Sequence, residues 1–457
     1  MQDFYNQFFN MTTTQTPINE IAEAQSKSKR KRSTRRAKPP QIGMKLTVGQ
    51  ISLSEALAFV KAVVPSKPLH PVLANVLVVA EQETQQLTLT TSDMAINLSA
   101  RIEATVEHAG AIALPAEVLS AVVSKCPVGY LTLESMESGN KLTATLQDRQ
   151  GGTTEIRGMS AEEFPEILHV QSSPVSLPAK VVQVGLKGVL FAVSTDESKR
   201  ILTGIEWQLN AGTLCCTATD GHQVAFVNLE TDGIGRRKRK QRSELISSLV
   251  VPSRAIKELA RTVDKVEAET QLQIAVDRVE ENAAKRVQFT IAASGISKQI
   301  VCQCLEEVYP DCLALLDRYE FDTTITINRY ALMTRLERLS ALTDKKAKGV
   351  KFTFNHEAQK IELLIEREYG KGKQIMDTEV PEELEGFEIR FNLQYLMNIL
   401  KAMSSSALKL VMSKPHTPAK VESTGDFEIP ELDMTATYFL MPMCNLDEVG
   451  DVQSNAS

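Results

Sequence analysis

The sequence predicts an α+β protein made of three copies of one domain, each with two helices packed on antiparallel sheets. Three observations predict it. An amphipathic helix with apolar residues at i, i+3, i+4 and i+7 is marked by Ile256, Leu259, Ala260 and Val263. The same apolar frame returns as Leu119, Val122, Val123 and as Leu396, Ile399, Leu400. These helices follow similar openings at Pro115, Pro252 and Asn392, spaced 137 and 140 residues apart. A second helix recurs ahead of each, as Leu53, Leu57, Val60, then Val182, Leu186, Val189, then Leu332, Leu336, Leu339. A fixed period defines architecture before any local motif does. Alternating stretches at 86–90, 213–217 and 351–354 supply strands, and the turns TTSDMAINL (90–98) and TATDGHQVAF (217–226) match. Each copy spans about 130 residues, a normal size for one core.

Composition bounds the rest. The 457-residue chain is 43% apolar, enough for three cores, and no apolar run approaches the roughly 18 residues of a membrane span. Seven scattered cysteines, with no CxxC pair and no metal-ligand spacing, read as thiols filling core or sheet in a reducing cytoplasm. Cys302 and Cys304 alternate and could share one strand face. No metal or cofactor is expected. Net charge is −6, but the tracts 27–38 and 236–242 carry eight and six Lys/Arg, so the remainder carries −20. An acidic body with local basic stripes suits a protein that repels DNA generally and accepts it at one surface.

Residues 1–43 are polar, end in Pro39-Pro40 and are expected to be a disordered basic tail without the apolar core of a signal peptide. Their basic run could be a nuclear address, a DNA-attracting arm or a solvated tail. The first domain, 44–169, opens with a strand at 45–48. Its first helix ends in the proline-restricted loop 64–73, with Lys67 at the tip. Its closing strands are at 130–134, 141–146 and 153–158, and AEEFPEI (161–167) makes an acidic turn.

The second domain, 174–316, starts with a strand at 174–177 and a helix over 179–194. Lys180, Gln183 and Lys187 lie opposite its apolar stripe. Lys199, Arg200 and Leu202 follow in a loop, and a basic loop is placed at 232–247. In the helix after Pro252 the Ser253 hydroxyl is expected to cap a free N–H, and Arg254, Lys257 and Arg261 form a cationic face. LEEVYPDCLALL (305–316) echoes AEEFPEI as the next linker. The third domain, 321–446, opens with a strand at 323–327. Its Arg329, Arg335, Arg338 and Lys401 do not share a face, and it closes with MTATYFLMPMCNL (434–446). Residues 447–457 are a polar tail.

No GxSxG, Walker loop, HExxH or paired DxD is present. Asp220 and His222 are the only tempting catalytic pair, and the plainer reading is an Asp that caps its own turn. The helix cations are better suited to phosphates, which position a protein without reading sequence. Base-reading side chains and stacking aromatics are missing from these helices, so nonspecific duplex binding fits best. The matching positions are Glu117, Ser120, Ser124 and Ile51, Ser54, Ala58 in the first copy. In the third they are Gln394, Met397, Lys401 and Tyr330, Met333, Glu337. The cationic face is therefore strong only in the middle copy. YFLMPM (438–443) is an adaptable Met-containing segment suited to peptides. A hydrolase using Asp220 and His222, or a regulator using the basic tail as an arm, are the alternatives.

Three copies, the turn TATDGHQ, the linker YPD and the tail YFLMPM resemble the bacterial DNA polymerase III beta subunit, the DNA sliding clamp, over about 44–446. The resemblance implies a non-catalytic, head-to-tail homodimeric ring around duplex DNA that tethers the replicative polymerase in the cytoplasm. It implies a pocket for short linear motifs of the polymerase III catalytic subunit, the clamp loader, other polymerases and repair proteins. Matching pocket positions are Leu202, Thr219, Gly221, His222, Gln223, Val224, Pro310, Ala314, Leu315, Phe439, Leu440, Met441, Pro442 and Met443. Gln223 and Ala314 stand where the family often has arginine, and Cys444-Asn445-Leu446 runs past the point where many relatives end. DNA-facing matches include Lys67 and Arg200, beside Lys180, Lys187, Arg254, Lys257 and Arg261 on the helices. Ile156 and Leu342 match apolar positions of the ring joint. Geometry agrees: twelve helices, each about 10 Å wide, make a circle of about 120 Å with about 28 Å clear inside, whereas six leave only about 9 Å. A duplex of roughly 20 Å, with grooves about 8 Å deep, passes through the first and not the second.

Overall fold

The computed structural model describes residues 41–138, 141–210, 213–230, 246–280, 283–342, 349–367, 370–427 and 434–443. The tract 236–242 and the tails 1–40 and 444–457 lie outside the described residues. The first domain runs β1 (Gln41–Gly49), α1 (Gln50–Val60), β2 (Asn75–Glu81), β3 (Gln86–Ser92), β4 (Ile96–Glu103), β5 (Thr105–His108), β6 (Gly110–Pro115), α2 (Ala116–Lys125), β7 (Tyr130–Ser138), β8 (Lys141–Gln147) and β9 (Thr153–Gly158). The second runs β10 (Val175–Pro178), α3 (Ala179–Val189), β11 (Gly204–Asn210), β12 (Thr213–Thr219), β13 (Gln223–Glu230), β14 (Ile246–Pro252), α4 (Ser253–Val263), β15 (Gln271–Glu280), β16 (Ala283–Ala293) and β17 (Ile296–Gln303). After the short linker helix α5 (Cys312–Leu316), the third runs β18 (Thr323–Asn328), α6 (Arg329–Ser340), β19 (Gly349–Asn355), β20 (Lys360–Arg367), β21 (Gly370–Asp377), β22 (Glu388–Asn392), α7 (Leu393–Ala402), β23 (Ser405–Met412), β24 (Ala419–Phe427) and β25 (Met434–Leu440). The order strand, helix, strands, helix, strands occurs three times.

The apolar stripes cause the packing. Leu53, Leu57 and Val60, then Val182, Leu186 and Val189, then Leu332, Leu336 and Leu339 are all buried, as are Ile256, Leu259 and Val263 of α4. Each such side chain contributes roughly 1.5–3 kcal/mol when taken from water. The two helices of each domain pack on each other. One polar side chain near the start of the first helix ties it to the end of the second. Gln50 Nε2 donates to Val123 O at 2.8 Å, Gln183 Nε2 to Asp264 Oδ1 at 2.8 Å, and Arg329 Nη1 to Leu400 O at 3.0 Å. Arg329, one of the unaligned cations, is therefore a buried tie across the third core. Helix α3 approaches its sheet closely because Gly188 faces Val227, where a Cβ would collide.

Four local expectations change. The strand β1 begins at Gln41, inside the stretch assigned to the tail, and β14 begins at Ile246, inside the predicted basic loop. The helix expected over 179–194 ends at Val189 and tightens into a 3-10 turn at Leu190–Ala192. Ser253 does not cap: Pro252 holds the cap position and Ser253 is already helical. Side-chain caps occur instead at Asn328, which accepts from Ala331 N, and Asn392, which accepts from Gln394 N and Tyr395 N.

The sheets cross domain boundaries. One eight-stranded sheet has the order β10-β15-β16-β17-β4-β3-β2-β6, so the last strand of the second domain pairs with the first domain. A second has the order β14-β11-β12-β13-β25-β24-β23-β18, so the last strand of the third pairs with the second. At the first seam Leu98 faces Ile300, and at the second Val224 faces Phe439, both antiparallel. The other two sheets, β5-β1-β7-β8-β9 and β21-β20-β19-β22, end in the edges β9 and β21.

Candidate functional site

Two regions carry the predicted residues: the helix pairs, and the junction between the second and third domains.

At the first junction α1 lies beside α4 across a cavity of about 340 Å³, lined by Glu55, Phe59, Glu258, Arg261, Lys265 and Lys298. At the second, α3 touches α7. The first helix of the first and of the second domain thus sits beside the second helix of the next. Arg254, Lys257 and Arg261 are all exposed on α4. Their charge is not equally available. Arg254 Nη1 meets Asp93 Oδ2 of the first domain at 2.6 Å, and Arg261 pairs with Glu258 on its own helix. Lys257 and Lys187 are exposed and have no ion-pair partner among the described residues. Lys180 is half-buried and donates to Gln183 Oε1 at 3.0 Å, so it is a weaker part of the face than its position suggests. Lys67 and Arg200 are exposed, in the 64–70 loop and the 3-10 turn Glu197–Thr203. Sequence periodicity missed Lys298, a strand residue that pairs with Glu55 at 2.7 Å and stands 5.9 Å over the Phe59 ring.

The second region is built around the TATDGHQ turn. Asp220 Oδ1 accepts the N–H groups of His222 (2.9 Å) and Gln223 (3.0 Å), while Gly221 adopts φ +92°. Asp93 in the matching turn accepts from Ala95 (3.0 Å) and Ile96 (2.7 Å) in the same way. Asp220 therefore caps its turn, as the plainer reading expects. His222 is exposed and stacks on Tyr395, with ring centroids 6.4 Å apart. Burial, with the Asp220 carboxylate nearby, pushes the Tyr395 phenol up to about 12, so it stays protonated at ordinary pH.

Leu202 and Val224 are half-buried against a small cluster with Val250, Tyr309 and Cys312. The Thr219 N–H donates to the Tyr309 hydroxyl at 3.0 Å, which anchors the linker here. Gly221, Ala314 and Leu315 are exposed and Pro310 half-buried. Met441 and Met443 are 38% and 37% exposed, and Met441 N donates to His222 O at 2.9 Å. Pro442 is half-buried between them. The structure thus gathers Leu202, Val224, His222, Leu315, Met441 and Met443 around one junction. Four expected members point elsewhere. Gln223 is buried, its amide donating to Asp220 Oδ2 at 3.1 Å, so it supports the turn from within. Leu440 and Thr219 are also buried, 1% and 4% exposed. Phe439 sits below the surface against Phe226 and Phe321. Next to it, between α5 and the strands, is a cavity of about 710 Å³ that sequence reading did not anticipate.

The thiols are where a core reading puts them. Cys302 and Cys304 are buried, and burial raises the Cys302 thiol well above its ordinary value and Cys304 to about 12. Of the two joint residues, Leu342 is half-buried against Gly370 and Gly372 of β21. Ile156 is a correction: at 4% exposure it belongs to the first core, because alternation on β9 turns it inward. On the β21 edge the exposed apolar residue is Ile375, 48% exposed. No described helix is long and apolar enough to cross a membrane.

Known proteins resemble the chain over this whole region. Residues 44–168, 176–311 and 319–437 match the N-terminal, central and C-terminal domains of the DNA polymerase III beta subunit. The beta sliding clamp of Synechocystis sp. is 32% identical over 412 residues, covering 88% of this chain and 99% of the relative. That of Bacillus subtilis is 25% identical over 399 residues, covering 85% and 98%. Among solved structures, the DNA polymerase sliding clamp of Bacillus subtilis superposes with a TM-score of 0.75 at 22% identity, covering 88% of this chain and all of the other. A Pseudomonas aeruginosa sliding clamp bound to griselimycin gives 0.72 at 22% identity with the same coverage.

Proposed function

Since the chain belongs to the DNA polymerase III beta-subunit family, the beta sliding clamps, we propose that two copies close head to tail into a ring that encircles duplex DNA. The role is that of a DNA sliding clamp in replication, a processivity factor without catalysis of its own. The observation that carries the ring is the pattern of seams. The third strand after the first helix of one domain pairs with the last strand of the next domain, as β4 with β17 and β13 with β25. One more application of that rule pairs β21 with the β9 of a second copy, and both are edge strands, each at one end of its sheet. Applying it in both directions gives six domains and closes the figure. Unpaired strand edges are templates for association, and closure removes them. Leu342 and Ile375 supply the apolar contact beside the new seam.

In the ring the twelve helices line the hole. Lys257 and Lys187, with Lys67, Arg200, Lys180, Arg254 and Arg261, offer scattered cations to phosphates. Contacts that are few and partly neutralised by Asp93 and Glu258 permit sliding, and enclosure keeps the ring on DNA. The junction of the second and third domains receives short linear motifs of the polymerase catalytic subunit, clamp loader and repair proteins. Leu202, Val224, Leu315 and Met441 take apolar side chains there, and His222 with Tyr395 forms the aromatic wall. The compartment is the cytoplasm.

Retention on nicked circular DNA, with a clamp loader present, tests enclosure. Linearising the circle should release the ring within the time of sliding off an end. Retention that ignores linearisation would falsify enclosure.

A further inference from the structure

We propose that the acidic segment 444–457 of this chain docks into the peptide pocket in cis and competes with incoming partners; the proposal rests on the pocket reading above. Four observations lead to it.

First, the two junctions are built alike but covered differently. At the first, Val72 and Leu73 are buried beneath the linker residues Phe164 and Ile167. At the second, the matching Ile201 and Leu202 are only half-buried. The second linker also packs there, through Tyr309 and Cys312, but it leaves part of the Ile201 and Leu202 surface accessible.

Second, the segment starts at the wall of the open groove. Met441 N donates to His222 O at 2.9 Å and Met443 N to Arg390 O at 2.8 Å, so residue 444 follows directly from a pocket residue. Leu446 and Val449 are three and six residues on, within about 10 and 20 Å of extended chain.

Third, the chemistry is complementary. Residues 444–457 contain Asp447, Glu448 and Asp451 and no cation, interleaved with Leu446, Val449 and Val452. The groove is largely apolar, and cations stand at its rim alongside Asp220 and Asp311. The Lys199 ammonium lies beside Gly221, Arg200 is next to it in sequence, and the Arg390 side chain lies with Met443 against Gly349.

Fourth, the segment lies outside the matched domains. The match to the family's C-terminal domain ends at residue 437, before the segment begins.

Tethering makes weak docking effective. A short flexible link holds its ligand at an effective concentration on the order of millimolar. A segment with millimolar intrinsic affinity would then fill the pocket much of the time. Partners would have to displace it, and weakly matching motifs would be screened out.

The test compares three proteins: the full chain, a chain ended after Met443, and the full chain with Leu446→Ser and Val449→Ser. Each is titrated by fluorescence anisotropy with a labelled peptide carrying the clamp-binding motif of the polymerase III catalytic subunit. The shortened chain and the double variant should bind it roughly twofold more tightly than the full chain, the factor expected when a millimolar effective concentration meets a millimolar intrinsic affinity. The difference should shrink as salt screens the rim. A free peptide of sequence 444–457 should displace the probe from the shortened chain at millimolar concentration. Equal affinity in all three proteins overturns the proposal and leaves the pocket standing. Absence of binding to any of them removes the pocket reading, and this proposal with it.

Discussion

The two junctions within the chain use one turn for opposite purposes. In both, an aspartate at the end of a strand caps two amides and faces the first turn of the next domain's second helix. At the first junction that helix presents Arg254 to Asp93, and the contact is an ion pair with a carboxylate only 7% exposed. At the second it presents Tyr395, near Asp220 and stacked with an exposed His222. The partner of the following residue differs too. The Asn97 amide, oriented by its surrounding network, accepts the Leu168 N–H at 2.7 Å and so pins the first linker over its groove. Its counterpart is Val224, which cannot accept a hydrogen bond and leaves an apolar wall. A repeated framework becomes a site where the polar tie is moved: the second linker is held by the Tyr309 hydroxyl, which accepts the Thr219 N–H, and the wall at Val224 stays apolar. The difference lies in a few side chains, while the backbone pairing of the two seams is the same.

The largest expected effect follows from emptying the open groove. Leu202→Ala with Met441→Ala removes two apolar contacts, each worth roughly 1–2 kcal/mol at the centre of an interface. Affinity for the polymerase peptide should fall about 30- to 800-fold, while gel filtration still shows the dimer. The corresponding change at the closed groove, Leu73→Ala, should cost about 2–4 kcal/mol of stability, because that side chain is core, and should leave peptide affinity alone. Similar losses of peptide affinity from the two sites would erase the distinction between them.

The capping aspartates come next. Asp93→Ala removes two turn bonds and the ion pair, and should lower stability in urea by roughly 1.5–3 kcal/mol. Asp220→Ala removes the turn bonds and the bond from the Gln223 amide but no ion pair, and should cost about 1–2 kcal/mol. Only Asp220→Ala should also weaken the peptide, because His222 and Tyr395 depend on that turn. A smaller and more pointed change is Val224→Asn, which restores the polar residue of the closed junction. Peptide affinity should drop about tenfold, the equivalent of 1.4 kcal/mol, with stability nearly unchanged. Unaltered binding would mean that Val224 does not line the occupied part of the groove.

Much of this contrast was legible in the sequence, and the remainder was hidden for identifiable reasons. Periodicity of 3.6 and 2 located the helix stripes and the strands, because those residues face one core each. The match of TTSDMAINL to TATDGHQVAF implied the shared turn, and the two Asp caps are its physical content. Pairing across domains was not legible: β4 with β17 and β13 with β25 join strands about 200 residues apart, and alternation does not name a partner. Arg329 reads in the sequence only as one of four cations that share no face, because sequence does not show the carbonyls of Ser405 and Leu400 that it satisfies. Ile156 and Gln223 were placed at contact surfaces through a resemblance to positions. One pleat of β9 and one amide bond to Asp220 turn them inward.

The smallest effect tests the helix wall. Arg254 and Lys257 are neighbours on α4, both exposed, and differ in whether a carboxylate already holds their charge. A cation that contacts a phosphate releases about one counterion, so its removal should lower the slope of log affinity against log salt by about one. Lys257→Ala should approach that limit in titrations of a duplex oligonucleotide against the ring. Arg254→Ala should change the slope by less, because DNA must first compete with Asp93, and it should lower stability while Lys257→Ala does not. An equal change in slope from both would mean that Arg254 leaves Asp93 when DNA arrives. The first junction would then be a contact that the duplex itself loosens, and its contrast with the second would hold only for the empty ring.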